Sequence, residues 1–262
     1  ELPDVWNVKL AREFDMTNDS YLFKTEPGPG RLPLYEGKMI HQFDHQFAKP
    51  KYWIDEKEGR EALLGREEDR GQKLDYQGYR LGFREVAAST NERTLIGTII
   101  QPCVFCNHKI IFVSSQRSSS VQQNVIAIIC TIFNSFIFDY LIRNRVSSVV
   151  SMYIVYQLPI PRLTEKDPQF KPIVDRAVRL ICTTPEFDEL AKEVGLGGHK
   201  KGATDPAERA RLRAELDGLV AHLYGVTREE FQHILSTFPI VAQEVRDAAL
   251  CAYDDVAKGK IK

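Results

Sequence analysis

The segment NVIAIICTIFNSFIFDYLIRNRV, residues 124–146, is apolar over nearly the length of a membrane crossing, so it must be hidden in lipid or in a protein core. Asn134, Ser135 and Asp139 interrupt the run, and hydrocarbon tolerates such groups poorly. A buried core helix is therefore expected, with no membrane partner. Arg143 and Arg145 at its C-terminal end complement the helix dipole. Asp139 reads as a satisfied structural residue rather than a general base.

A core helix needs layers to pack on, and the preceding residues supply strands. In YRLGFREV, from Tyr79, the residues Tyr79, Leu81 and Phe83 alternate with Arg80, Gly82 and Arg84, the pattern of a half-buried strand. TLIGTII (94–100) is rich in β-branched residues, and the turn formers AASTNER separate it from the first run, so a hairpin or adjacent strands are expected. KIIFV (109–113) is a third strand, and SSQRSSS (114–120) a polar loop.

Beyond QLPIP (157–161) the character changes to helical. Asp205, Pro206 and Glu208 make an N-cap, a first-turn proline and an acid, and the helix they open carries Leu212, Leu216, Leu219 and Leu223 on one stripe up to Gly225. TREE (227–230) starts another helix, limited by Pro239. KTEPGPGRLP (24–33), with three prolines and two glycines, reads as a linker. The expected organisation is a linker at 1–30, an α+β domain at 31–165 and a helical subdomain at 166–262.

The chain begins at Glu1 with no basic and apolar leader, and reads as an excised piece of something longer. Five cysteines, an odd number largely set among apolar residues, point to reduced thiols and a cytoplasmic location. The net charge is −1, but residues 101–165 hold five Lys/Arg against two Asp/Glu. Tight DNA binding by electrostatics alone is not expected of such a chain.

The usual chemical signatures are incomplete. Cys103, Cys106 and His108 have the spacing of half a zinc site without a second half, and His41, Asp44 and His45 lie on no convincing amphipathic helix. In GLGGHKKGAT (195–204) the lysine position of a phosphate loop falls on Ala203. No nucleophile motif or paired carboxylate stands in a recognisable setting, so no metal and no catalytic residue are expected. The segment EGKMIHQFDHQF (36–47) instead interleaves lysine, histidine, glutamine and aromatics, a mixture from which nucleic-acid contacts are made.

Six strings occur together: DMTNDSYLFKT (15–25), LPLYEGKMIHQFDHQFA (32–48), YRLGFREVAASTNERTLIGTIIQP (79–102), FNSFIFDYLIRNRV (133–146), QLPIPRL (157–163) and LRAELDGLVAHLYGVTREEFQHILSTFP (212–239). In this order they resemble the C-terminal part of large bacterial adenine-N6 DNA methyltransferases, among them the methylases and fused polypeptides of Type IIG restriction-modification and related phage-defence systems. The resemblance covers nearly the whole chain. It implies an α+β fold: a mixed β-sheet target recognition module with a buried helix, followed by a mainly helical part.

The resemblance further implies that the partners are double-stranded DNA and the methyltransferase core of the parent chain. S-adenosylmethionine would be the parent's cofactor, with none on this chain, because the family's glycine motif and its [DN]PP[YF] motif occur nowhere in the sequence. The family's nuclease motif is not visible either. The candidate DNA contacts are Lys38, His41, Arg80, Arg84, Asn91, Arg93 and Arg117: arginine pairs with guanine, asparagine with adenine, and lysine with phosphate. For several of these a structural role stands beside the reading role. Arg84 with Glu85 and Glu92 with Arg93 are possible ion pairs, and the aromatics at 35, 43 and 47 are possible core residues. A competing class is a protein-interaction module that docks on a separate methyltransferase and has no DNA affinity of its own.

Overall fold

The computed structural model describes residues 7–87, 91–118 and 122–261, and the chain divides into two compact units. The first runs to Val86 and resumes over Gly97–Gln122; the second comprises Ala87–Ile96 and everything from Gln123 on. The divisions thus fall at 86/87, 96/97 and 122/123 rather than at residues 30 and 165. Residues before 30 are no mere linker, because Phe14 and Leu22 are buried in the first unit's core. Of the polar segments singled out in the sequence, residues 88–90 and 119–120 lie outside the described residues.

The first unit holds strands β1 (Leu10–Ala11), β2 (Arg31–Tyr35), β3 (Tyr52–Asp55), β4 (Arg80–Arg84), β5 (Gly97–Ile100), β6 (Phe105–Cys106) and β7 (Ile110–Val113), with helix α1 (Glu56–Leu64). Four strands make an antiparallel sheet in the order β1-β7-β4-β5. The other three make a mixed sheet, β3-β2-β6, in which β2 and β6 are parallel. Both sheets contribute to one apolar cluster, with Tyr35 and Cys106 from one and Ile100, Ile110 and Phe112 from the other. A second cluster around Phe14, Leu34, Ile54, Tyr76 and Phe105 includes Leu64 of α1.

Strand β4 lies between β5 and β7, in the register Gly82↔Thr98 and Gly82↔Phe112. It is buried on both faces from Arg80 to Phe83, so the half-buried strand read from its alternation is in fact a central one. A Cβ on Gly82 would come within 2.5 Å of the Ile100 side chain and 3.0 Å of Ile110, which is why the arginine face of this strand carries a glycine at its centre.

The second unit is helical: α2 (Gln123–Asn134), α3 (Phe136–Arg143), α4 (Met152–Tyr156), α5 (Phe170–Ile181), α6 (Asp188–Glu193), α7 (Pro206–Leu223), α8 (Arg228–Ser236) and α9 (Gln243–Ala257). Together with the sheets this makes an α+β fold. The apolar run is buried as expected, but as two helices bent by 61° rather than one. Ser135 causes the break. Its backbone is extended, and its hydroxyl accepts the Phe138 amide as the N-cap of α3. The Phe136 amide left free by the break is taken by Asp217 Oδ1 at 2.9 Å. No single helix among the described residues is long and apolar enough to cross a membrane.

Helices α7 and α8 begin where their caps require: Asp205 accepts the Glu208 amide, and Thr227 and Glu230 form a reciprocal capping box. Helices α7 and α9 touch at Gly218, where an added Cβ would lie 2.7 Å from the Ala252 carbonyl carbon.

Candidate functional site

Between β2 and β3 the chain folds into a loop, residues 36–51, whose buried side chains fix it and whose exposed ones are Lys38, Gln46, Phe47, Lys49 and Lys51. Met39, Ile40 and Phe43 are pegs in the first unit's interior. A 3-10 turn at Gly37–Met39 is closed by the Met39 amide on Glu36 O at 2.8 Å. Next comes a tight turn in which the His41 and Asp44 backbones exchange hydrogen bonds of 2.7 and 3.0 Å. Phe43 within this turn has φ 57°, a left-handed conformation that glycine or asparagine normally supplies. Burial of its ring and a 3.2 Å bond from its amide to Gly97 O hold it there.

Arg84 reaches the loop from β4: its Nε donates to Ile40 O at 2.8 Å, and its guanidinium lies 5.9 Å from the centre of the Phe47 ring. Burial pulls the Arg84 pKa down from its ordinary value, and the Ile40 carbonyl satisfies the charge that burial strands. On the outer surface the His41 and Phe47 rings stack at 4.7 Å with a 31° tilt. Phe47 is 56% exposed. Lys38, Lys49 and Lys51 of the same loop are exposed too. Glu36 ties the first of these, 2.9 Å from Lys38 Nζ, and its field also acts on Lys51, whose ammonium lies 4.9 Å from the Tyr52 ring centre.

The other arginine on the β4 face behaves differently. Arg80 is fully buried, 2.5 Å from Glu13, bonded to the Val104 carbonyl and 4.6 Å from the centre of the Phe112 ring. Glu13 also accepts the Cys106 amide at 2.7 Å; burial pushes its carboxyl up, against the pull of Arg80. A guanidinium with no accessible surface cannot touch a duplex, so Arg80 is corrected from a reader to an internal clamp that ties residue 13 to β4 and β6.

Arg117 lies in a turn at the far end of β7 from Lys109, and Lys109 is the residue against which Gly37 of the loop packs. The turn is organised by the buried Asp75, whose carboxylate accepts Ser114 Oγ (2.6 Å), the Ser115 amide (2.7 Å) and hydroxyl (2.8 Å), and the Gln116 amide (3.1 Å). Arg117 itself is exposed, with its amide on Ser114 Oγ. Sequence reading missed Asp75, because nothing in LDYQG marks a carboxylate whose four partners lie about forty residues on.

Asn91 and Arg93 belong to the second unit. Arg93 is buried, 3.7 Å from Asp217 and 3.5 Å from the centre of the Phe136 ring. Asp139 accepts the Thr94 and Leu95 amides at 3.0 and 3.2 Å and lies 3.6 Å from Arg143. The ERT segment is thus a locked scaffold, and Arg93 like Arg80 is corrected to an internal ion pair, made with Asp217 rather than with Glu92. Burial pushes Asp217 up to about 6, against Arg93. Arg143 also donates to the Asn91 carbonyl at 3.2 Å, while Asn91 itself is exposed on the rim of a cleft of about 560 Å³ lined by Tyr140, Arg143, Phe238 and Ile240.

Of the seven residues singled out in the sequence, Lys38 and His41 lie in one loop that Arg84 reaches from β4, Arg117 stands on a separate turn, Asn91 is on the rim of the second unit's cleft, and Arg80 and Arg93 are internal. Cys103 is exposed, whereas Cys106 is buried and its thiol pushed up to about 12 by that burial. Among the described residues no group of three His, Cys, Asp or Glu side chains is placed to hold a metal ion.

No protein-family model and no curated protein matches the sequence. Among solved structures, the fold is similar to that of the Type IIL restriction-modification enzyme MmeI, determined in complex with DNA, with a TM-score of 0.52 and 14% identity. The match covers 94% of this chain but 36% of that enzyme, so the chain spans about a third of its length. At this identity the likeness is one of fold: the chain has a fold related to part of a restriction-modification enzyme.

Proposed function

We propose that this chain is the sequence-specific double-stranded DNA recognition segment of a restriction-modification adenine-N6 methyltransferase. In this reading catalysis and S-adenosylmethionine belong to the methyltransferase core of the parent protein, which works in the cytoplasm. The observation that carries the reading is the fold likeness, over nearly the whole chain, to part of a restriction-modification enzyme solved on DNA. It agrees with the family resemblance of the six sequence strings and with the composition of the 36–51 loop, whose exposed side chains are three lysines, Gln46 and Phe47 over a buried base.

In the mechanism this implies, lysines 38, 49 and 51 neutralise phosphates and set the register on the duplex, while His41 and neighbouring polar groups address base edges. Arg84 is a positioning residue that holds the Ile40 carbonyl and so the whole loop. Arg117, on its carboxylate-anchored turn, supplies a second phosphate contact.

The test is fluorescence-anisotropy binding to randomised duplex DNA at low and moderate salt, with bound sequences recovered. Enrichment of a short motif, with affinity falling steeply with salt, is the expected result. Absence of duplex binding at low salt, together with tight binding to a methyltransferase core, would replace the reader by the assembly module that the near-neutral net charge also suits.

A further inference from the structure

We infer that Phe47, backed by His41, is a stacking wedge that enters the duplex at a base step, a role that rests on the DNA-recognition reading above. A single exposed hydrophobic residue signifies nothing by itself. Phe47 differs in three respects. Its ring is 56% exposed yet oriented, with the His41 ring 4.7 Å away and the Arg84 guanidinium 5.9 Å from its centre. The backbone that carries it is pinned: Arg84 holds Ile40 O, the His41–Asp44 turn is closed by two hydrogen bonds, Asp44 Oδ1 accepts the Gln46 amide at 2.9 Å, and Phe43 is peg and strained corner at once. Lastly, the exposed lysines 38, 49 and 51 belong to the same loop.

Backbone in the left-handed region is unfavourable for a bulky residue and persists only where its surroundings enforce it. Here it turns the chain so that Phe43 points in while His41 and Phe47 stay out. A preordered aromatic loses little entropy when it stacks. Lysines in the same loop suit the phosphates that flank any base step, and phenylalanine is among the side chains that pry steps apart and kink DNA. The step it would favour is a deformable pyrimidine–purine one.

The experiment uses the full chain and a mixed-sequence duplex, with three variants: F47A, F47W, and the triple lysine-to-alanine variant at 38, 49 and 51. Since Phe47 is largely exposed, F47A should melt with the wild type, which is checked first. Its dissociation constant should rise about 5- to 100-fold, the range of one base–aromatic stack, with an unchanged slope of log affinity against log salt. F47W should restore binding, and its added indole emission, taken as the difference from the wild type with Trp6 and Trp53, should be quenched by the duplex. The lysine variant should do the reverse, flattening the salt slope by roughly 0.9 per lysine. F47A binding within twofold of the wild type, or F47W binding without quenching, would overturn the wedge and leave the reader standing. Wild-type chain that binds no duplex at low salt would overturn both.

Discussion

Replacing Arg80 by alanine separates a sequence reader from an internal clamp. The change leaves Glu13, whose side chain is 3% exposed, facing an emptied site, and strands the Val104 carbonyl that Arg80 had bonded. Removing one partner of a buried ion pair costs about 3 to 5 kcal/mol, because the remaining charge stays desolvated and uncompensated. For a unit of roughly 100 residues each kcal/mol moves Tm by about 4 to 8 °C, so the first unit should melt on the order of 15 to 30 °C early. The assay is thermal melting followed by near-ultraviolet circular dichroism, with hydrogen exchange to assign the loss to strands β4, β6 and β7. A second variant, R80L/E13L, should recover part of the loss, since exchanging a buried pair for apolar side chains of similar size is often neutral, while the Val104 carbonyl and the Cys106 amide stay unpaired. DNA affinity of the folded fraction should be unchanged. An R80A protein that melts within 2 °C of the wild type yet loses DNA binding would refute the reasoning and restore Arg80 as a contact.

Three other changes test other parts of the structure. Asp217 has its pKa raised to about 6 by burial, so the folded chain holds a proton that the unfolded chain has released. That contribution is complete below about 4 and lost as pH rises through 6, so wild-type stability relative to D217N should fall by roughly 3 kcal/mol between pH 4 and 7 in urea titrations. G218A should destabilise the second unit by about 1 to 3 kcal/mol in the same assay, because the atoms its Cβ meets are α9 backbone at Ala252 and Tyr253, which cannot rotate away. D75A should free the 114–117 turn, and limited trypsin digestion should then cut after Arg117 faster than in the wild type, with equal rates counting against the anchoring role.

Local signals carried part of this fold into the sequence and long-range contacts withheld the rest. The caps at Asp205 and Thr227 and the strands at 80–84, 97–100 and 110–113 were legible because each depends on neighbours within a few residues. The break at Ser135 was written as an Asn-Ser pair inside an apolar run, but its partner Asp217 lies eighty-one residues away. The division into units was hidden because Ala87–Ile96 leaves the sheet unit and returns to it at Gly97, an excursion that period and composition do not register.

The arginines show why the candidate site was the least legible part. Strand alternation groups Arg80 with Arg84, and in isolation both look equally able to meet a base. Their fates diverge over a carboxylate at residue 13: Arg80 finds Glu13 and becomes interior, while Arg84, four residues on, finds the Ile40 carbonyl and so serves the loop's edge. Pairing with a distant acid is what decides, and it removes Arg93 through Asp217 in the same way. Lys38, Lys49, Lys51 and Arg117, in loops or turns of the first unit, stay exposed. If the proposed DNA-recognition role holds, a surface built from loops on a rigid sheet can change target without disturbing the ion pairs beneath it. On the proposed reading, substitutions at the exposed positions 38, 47, 49 and 51 should therefore alter DNA selection with melting unchanged, whereas substitutions at Glu13, Arg80, Arg93 or Asp217 should alter melting first.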